Sequence, residues 1–167
     1  MENAIPSLLI GAIMLIAASL FARSSFQSYD QLGTSLKASE MRLGQRVATR
    51  LTITDASLDG ARDTLTISLR NDGQTRLATY EKLDVIVTYY TSATARLTSW
   101  FPFAESLSAN TWNLVGIADD TYEPGILNPG ETAQMEIELG GSVEPGKTNL
   151  IVIGSEAGST VSSPFTS

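Results

Sequence analysis

Residues 4–22 read AIPSLLIGAIMLIAASLFA, a run with no charged residue. It is too long for a strand and reads as a helix. Ile5, Leu8, Leu9, Ile10, Ile13, Met14, Leu15, Ile16, Leu20 and Phe21 are spread around the whole helical circumference, so the segment needs burial on every side. At about 1.5 Å per residue it spans about 28 Å, enough to cross the hydrocarbon core of a bilayer. Pro6 fits because it lies in or near the first turn, where a missing N–H costs little.

Upstream stand only Met1, Glu2 and Asn3, without the basic residues that open a secretory signal. The nearest basic residues follow the run, and as written they would hold residues 23–167 in the cytoplasm. Both conflicts disappear if a short basic leader preceded Met1 and was removed. Met1 is therefore expected to be the processing end, the N-terminus of the mature chain.

Downstream the helix continues in a different character. Phe26, Tyr29, Leu32, Leu36, Leu43 and Val47 follow one another at intervals of three, four or seven, while Arg23, Asp30, Lys37, Arg42 and Arg46 take other faces. Gly33 and Gly44 weaken it by about 1 kcal/mol each relative to alanine, and Gly44 is the place for a bend or an approach to the end. A helix from about residue 4 to about residue 47, on the order of 65 Å long, is predicted. Residues 1–48 form an N-terminal assembly or transmembrane helix.

From Leu51 the period becomes two, in Leu51 and Ile53, then Leu65, Ile67 and Leu69, then Leu83, Val85, Val87 and Tyr89, then Met135, Ile137 and Leu139. Turn residues punctuate the series at Asp59-Gly60, Asn71-Asp72-Gly73, Glu123-Pro124-Gly125, Asn128-Pro129-Gly130, Gly140-Gly141, Glu144-Pro145-Gly146 and Gly154. Eight strands are expected, near 49–58, 62–71, 82–91, 94–101, 111–117, 131–140, 147–154 and 158–165. Short strands at this spacing give an antiparallel Ig-like β-sandwich over residues 49–167, and an α+β chain as a whole. No internal repeat is evident.

The 167 residues contain no cysteine and no histidine, which removes disulfides, thiolate metal sites, the commonest general base and the commonest metal ligand. The net charge of −7 is unevenly divided. Residues 1–50 hold five basic and three acidic side chains, whereas the rest hold six basic against fifteen acidic. An acidic, Ser/Thr-rich outer portion suits a solvated surface and disfavours nucleic acid. Asp119, Asp120, Glu123 and, further on, Glu131 could offer oxygen ligands to Ca²⁺, but their spacing matches no EF-hand, and a solvated acidic loop is the preferred reading. No phosphate-binding glycine loop is present, and a nucleophilic serine or threonine would have no histidine beside it. The expectation is a protein that is not an enzyme, with no catalytic residue, no cofactor and no metal site. Trp100, Phe101, Phe103 and Trp112 are read as sandwich core in preference to a ligand platform.

A lone apolar helix joined to a β-domain is either a plain anchor or an assembly helix packed among its own copies. A stalk above an anchor has no use for the apolar stripe at Phe26, Tyr29, Leu32, Leu36, Leu43 and Val47, whereas a helix among copies of itself does. Small residues at Gly11, Ala12, Ala17, Ala18 and Ser19 allow close helix approach. Assembly is the preferred reading, with Ile5, Leu8, Leu9, Ile10, Ile13, Met14, Leu15, Ile16, Leu20, Phe21, Phe26, Tyr29, Leu32 and Leu36 as its core.

With the helix at its start, LTISLRNDG at 65–73, LDVIVTY at 83–89, Trp112 and ILNPGE at 126–131, the chain resembles the archaellins, subunits of the archaeal swimming filament. The resemblance covers nearly the whole chain. It implies a structural subunit that polymerises with itself through the helix into an extracellular, archaellum-type motility filament at the cell surface. It also implies membrane insertion before assembly, a prepilin-type peptidase that removes the leader, and a membrane assembly platform with a cytoplasmic ATPase. Bacterial type IV pilins carry glutamate at the fifth mature position, where this chain has Ile5 and only Glu2 nearby, which points to the archaeal branch. No Asn-x-Ser/Thr sequon occurs, so a glycan would sit on serine or threonine. An adhesive pilin and a membrane-anchored, stator-like accessory protein share this layout and remain the alternatives; a tethered hydrolase has no motif in its favour.

Overall fold

The computed structural model describes residues 4–167, and the side chains of residues 4–8, 30, 42 and 45–47 lie outside that description. The chain divides into two compact units, Met1–Leu43 and Gly44–Ser167.

The helix α1 runs Ala4–Ala48 without interruption. Gly44 does not end it, and the backbone stays helical to Ala48. Eight strands follow: β1 (Leu51–Leu58), β2 (Thr64–Asn71), β3 (Asp84–Tyr90), β4 (Arg96–Phe101), β5 (Trp112–Ala118), β6 (Thr132–Glu138), β7 (Thr148–Gly154) and β8 (Thr160–Thr166). A single 3₁₀ turn at Tyr80–Lys82 leads into β3 and has no counterpart in the sequence reading.

The strands form two four-stranded sheets, ordered β1-β2-β6-β5 and β4-β3-β7-β8, with every neighbouring pair antiparallel. That order is the Greek-key arrangement of an immunoglobulin-like sandwich, in which the first, second, sixth and fifth strands share a layer. The period-two residues supply the core. Leu65, Ile67 and Leu69 of β2 and Ala133, Met135 and Ile137 of β6 face Val85, Val87 and Tyr89 of β3 and Ile151 and Ile153 of β7, all buried. Leu51, Leu83 and Leu139 are buried with them, and Ile53 is partly buried against the cluster.

The edges are protected in ways the sequence permits. β1 is bulged between Ile53 and Asp55, and β5 between Leu114 and Gly116, so both edge strands of the first sheet depart from a flat ladder. β8, an edge of the second sheet, carries Pro164 opposite Leu150, a position that needs no donor toward solvent.

The two turn segments quoted for the resemblance meet each other. Asn71 is fully buried at the end of β2, and its side-chain amide donates to the carbonyls of Thr75 at 2.9 Å and Leu127 at 3.0 Å while its oxygen accepts the Gly73 N–H at 3.0 Å. Its own N–H donates to the Glu131 carbonyl and its carbonyl accepts from Gly130 N–H. Asn128 is held in turn by its side-chain amide, which donates to Tyr122 and Ile126 carbonyls, and by its N–H, which donates to the Glu131 carboxylate. Leu77 and Leu127 exchange both backbone bonds, so the loop after β2 and the loop before β6 are laced into one corner. The same turn holds the chain as it leaves the helix: Gln74 and Thr75 N–H donate to the Ala48 carbonyl, and Asp72 N–H donates to the Arg50 carbonyl. Gly73 lies so close that a Cβ there would run into the backbone of Ala48 and Arg50.

Candidate assembly surface

Apart from Pro6 and three glycines, α1 is built from residues of fair to good helix propensity, and its apolar positions set what it can touch. Leu9, Ile10, Ile13, Met14, Leu15, Ile16, Leu20 and Phe21 are all exposed, from 57% at Ile13 to 75% at Phe21, and Phe26, Tyr29, Leu32 and Leu36 beyond them are exposed as well. These are twelve of the fourteen residues expected to form the assembly core. The side chains of Ile5 and Leu8, and Met1 as a whole, lie outside the described residues. Met41 belongs to the same exposed set and was missed because it falls five residues after Leu36, off the three-and-four spacing.

Four hydroxyl side chains on the helix bond back to its own backbone. Ser19 donates to the Ile16 carbonyl at 2.8 Å, Ser28 to Ser24 at 3.0 Å, Thr34 to Gln31 at 2.9 Å and Ser35 to Leu32 at 3.0 Å. A hydroxyl bonded back to its own turn can enter an apolar environment without leaving a donor unpaired. The stretch Leu9–Met41 is long and apolar enough to cross a membrane, with a mean hydropathy of 1.8 in its most apolar window. Chemically, then, this surface offers contact area and no reactive group: it can be covered by lipid or by protein, and water is its poorest neighbour.

The β-sandwich places the other sequence candidates. Phe101 and Trp112 are fully buried, and Phe103 packs edge-on against Trp112 with ring centroids 4.9 Å apart, so three of the four aromatics are core or lie against it. Trp100 is the exception. It pairs with Ile86 on the outer face of its sheet, is 57% exposed, and its indole N–H donates to Asp84.

Three of the four carboxylates singled out around the acidic loop are each engaged separately. Asp120 accepts the Gly125 N–H at 2.8 Å, Glu123 takes both oxygens to the Arg76 guanidinium at 2.9 and 3.0 Å, and Glu131 accepts the Asn128 N–H. Among the described residues no group of three or more acidic side chains converges as metal ligands would. Burial pushes the Tyr80 hydroxyl up to about 12, and its proton goes to the Gly125 carbonyl. Tyr89 is likewise raised by burial. Asp59 is lowered, first by the Thr64 N–H that it accepts. These three groups stand apart in a core corner, the core interior and a hairpin, and they do not form a shared site.

Comparison with known proteins starts from the sandwich. The archaellum periplasmic stator protein FlaG from Sulfolobus acidocaldarius superposes with a TM-score of 0.55 at 21% identity, over 70% of this chain and 99% of that one. FlaG in complex with FlaF from the same organism gives the same score and identity, over 70% of this chain and 89% of that one. The archaeal flagellum of Methanospirillum hungatei strain JF1 aligns over 95% of this chain and 92% of that chain, at 18% identity and a TM-score of 0.49. No curated protein matches the sequence. The family model of archaeal-type flagellin matches residues 8–165, from within the exposed helix to the last strand, and the chain belongs to that family.

Proposed function

We propose that the chain is the structural subunit of an extracellular archaellum-type motility filament, polymerised through α1 with the sandwich as its outer sheath. Membership in the archaeal-type flagellin family makes it an archaellum-related structural protein and not an enzyme. The observation that carries the finer reading is the extent of the exposed apolar surface on α1. It does not stop where a bilayer core would, but continues from Phe21 through Phe26, Tyr29, Leu32 and Leu36 to Met41 and Leu43. A plain anchor needs only the first twenty or so residues. Residues 1–48 thus act as the assembly helix, inserted in the membrane before polymerisation, and residues 49–167 as the head. A prepilin-type peptidase and a membrane platform driven by an ATPase are the partners this assembly route requires.

Shearing filaments from the cell surface, imaging them and identifying their protein by mass spectrometry tests the reading. This chain should be the main component, and cells lacking it should lose swimming. A chain that stays with the membrane as a monomer or dimer while filaments are built from another protein would make it an accessory, stator-like component instead. Lost surface attachment with swimming intact would make it an adhesive pilin.

A further inference from the structure

The two outer faces of the sandwich differ in kind. On the sheet β4-β3-β7-β8 the buried positions Val85, Val87, Ile151 and Ile153 point inward, which turns Trp100, Ile86, Leu150 and Val152 outward. Among the described residues the outward positions of these four strands carry two charges, Asp84 and Arg96. Trp100 stands between them, 57% exposed, and its indole is fixed by the bond to Asp84 at 3.2 Å. A large ring held in place at an exposed position is a knob.

The outer face of the other sheet has a groove. A cavity of about 280 Å³ opens there, lined by Ser68 of β2, Thr132 and Gln134 of β6, and Val115, Gly116 and Ala118 of β5. Room is left because the β5 positions opposite Gln134 and Thr132 are glycine and alanine, while the bulge after Leu114 leaves Val115 half exposed beside them. The charges beside knob and groove correspond. Asp84 lies one row from Trp100, about 7 Å along the strands, and Arg96 lies four residues from Trp100 in the other direction, about 14 Å. On the grooved face Arg70 lies two residues from Ser68, about 7 Å, and Glu138 lies four residues from Gln134 in the other direction, about 14 Å. Acid, knob and base on one face thus match base, groove and acid on the other at the same spacing.

Resting on the assembly reading above, we propose that Trp100 of one copy seats in the Gly116 groove of the next and so joins the sandwiches into the outer layer of the filament. Asp84 then faces Arg70, and Arg96 faces Glu138, across the contact. The occupant is a second copy of this chain because one chain carries both halves with matching charges. Knob and groove lie on opposite sheets, so each copy passes the contact on, as a polymer of copies related by rotation and translation requires. Size points the same way. Four strands about 4.8 Å apart and about six residues long cover on the order of 400 Å², about half of what each partner gives to a stable free-standing complex. So small a contact holds between copies already kept close by another joint, and α1 is that joint.

The chain has no cysteine, so a cysteine introduced by substitution has no competitor. The test uses filaments sheared from cells that carry Thr98→Cys together with Glu136→Cys, treated with a short thiol-to-thiol crosslinker. Both positions lie in the outward rows next to Trp100 and Gln134, and the docking brings them together between copies. The double variant should give a ladder of dimers, trimers and longer products, and each single variant should stay monomeric. Adding Trp100→Ser, or filling the groove by Gly116→Leu, should lower the crosslinked fraction about ten-fold. Neither change touches the core, since Trp100 is outside it and a side chain begun at Gly116 meets nothing within 4 Å. Dimers from Thr98→Cys alone would show like face meeting like face and overturn the proposal. A double variant that stays monomeric within filaments would overturn it too, as would a ladder that neither added change reduces, and in these cases the assembly reading survives. If the native chain is absent from every filament, the assembly reading itself falls, and the docking with it.

Discussion

Asn71 is the residue on which the corner of the sandwich depends. Its side chain meets two carbonyls and one N–H across the loop that follows β2 and the loop that precedes β6, and with Asn71 at 0% exposure its side chain cannot turn to water instead. Asn71→Ala should cost about 2–4 kcal/mol, because the groups left behind stay buried and lose their donors or acceptor. In thermal denaturation this would lower the melting temperature by about 10 °C. Asp59 illustrates the opposite case of an exposed side chain with a local task. Its carboxylate accepts the N–H groups of Ala61, Asp63 and Thr64 in the turn between β1 and β2, which holds its pKa below the usual 3.8. A carboxyl with a lower pKa folded than unfolded contributes stability above the unfolded value and loses it as pH falls through the folded one. The gap in melting temperature between the native chain and Asp59→Asn should therefore be open at neutral pH and close as pH drops below about 3.8. A gap that stays constant through that range would mean the carboxylate charge plays no part in the turn.

At the scale of elements, each of the eight strands lies within three residues at either end of where the alternating pattern places it, and the reason is physical. β2, β3, β6 and β7 each bury one side against the opposing sheet, so Leu65-Ile67-Leu69 or Val85-Val87-Tyr89 announces both the strand and its inward face. Edge strands are harder to read. β4 has only Phe101 fully buried, so nothing local told that Trp100 would point outward, and the aromatic cluster was legible as a group but not residue by residue. The lacing of Asn71 to Leu127 was invisible for a different reason: Asn71-Asp72-Gly73 and Leu127-Asn128-Pro129-Gly130 each read as an ordinary turn, and their contact spans more than fifty residues. The turn at Gly73 gives this scale its test. A methyl group at Gly73 has no room against Ala48 and Arg50, whereas at Gly116, on the bulge of β5, it meets nothing. Gly73→Ala should destabilise the sandwich by about 2 kcal/mol or more, since the obstacle is backbone, while Gly116→Ala should change it by less than about 0.5 kcal/mol. Urea titrations of the two variants would show it, and equal midpoints would mean that the turn does not grip the helix exit.

For the molecule as a whole, the two units carry different kinds of surface, and the proposed function follows from that difference. The sandwich closes its apolar faces within itself, whereas α1 leaves twelve expected core positions open along more than twenty-five residues. Replacing Ile13 by aspartate separates the two ways of covering that helix. In a filament Ile13 would be enclosed by neighbouring helices that exclude water, where an unpaired carboxylate costs several kcal/mol. The defect recurs in every subunit, so growth should stop. In a plain anchor the same aspartate costs about 2.5–3.5 kcal/mol at the helix centre, which a segment with Leu9, Ile10, Met14, Leu15, Ile16, Leu20 and Phe21 around it can absorb while staying inserted. The sandwich, whose core among the described residues includes none from α1, should keep its fold in either case. The expected outcome of Ile13→Asp is a chain that is found in the membrane with a protease-resistant sandwich and makes no filaments. Normal filaments assembled from Ile13→Asp chains would show that α1 is not enclosed by its copies, and the assembly reading would have to be abandoned.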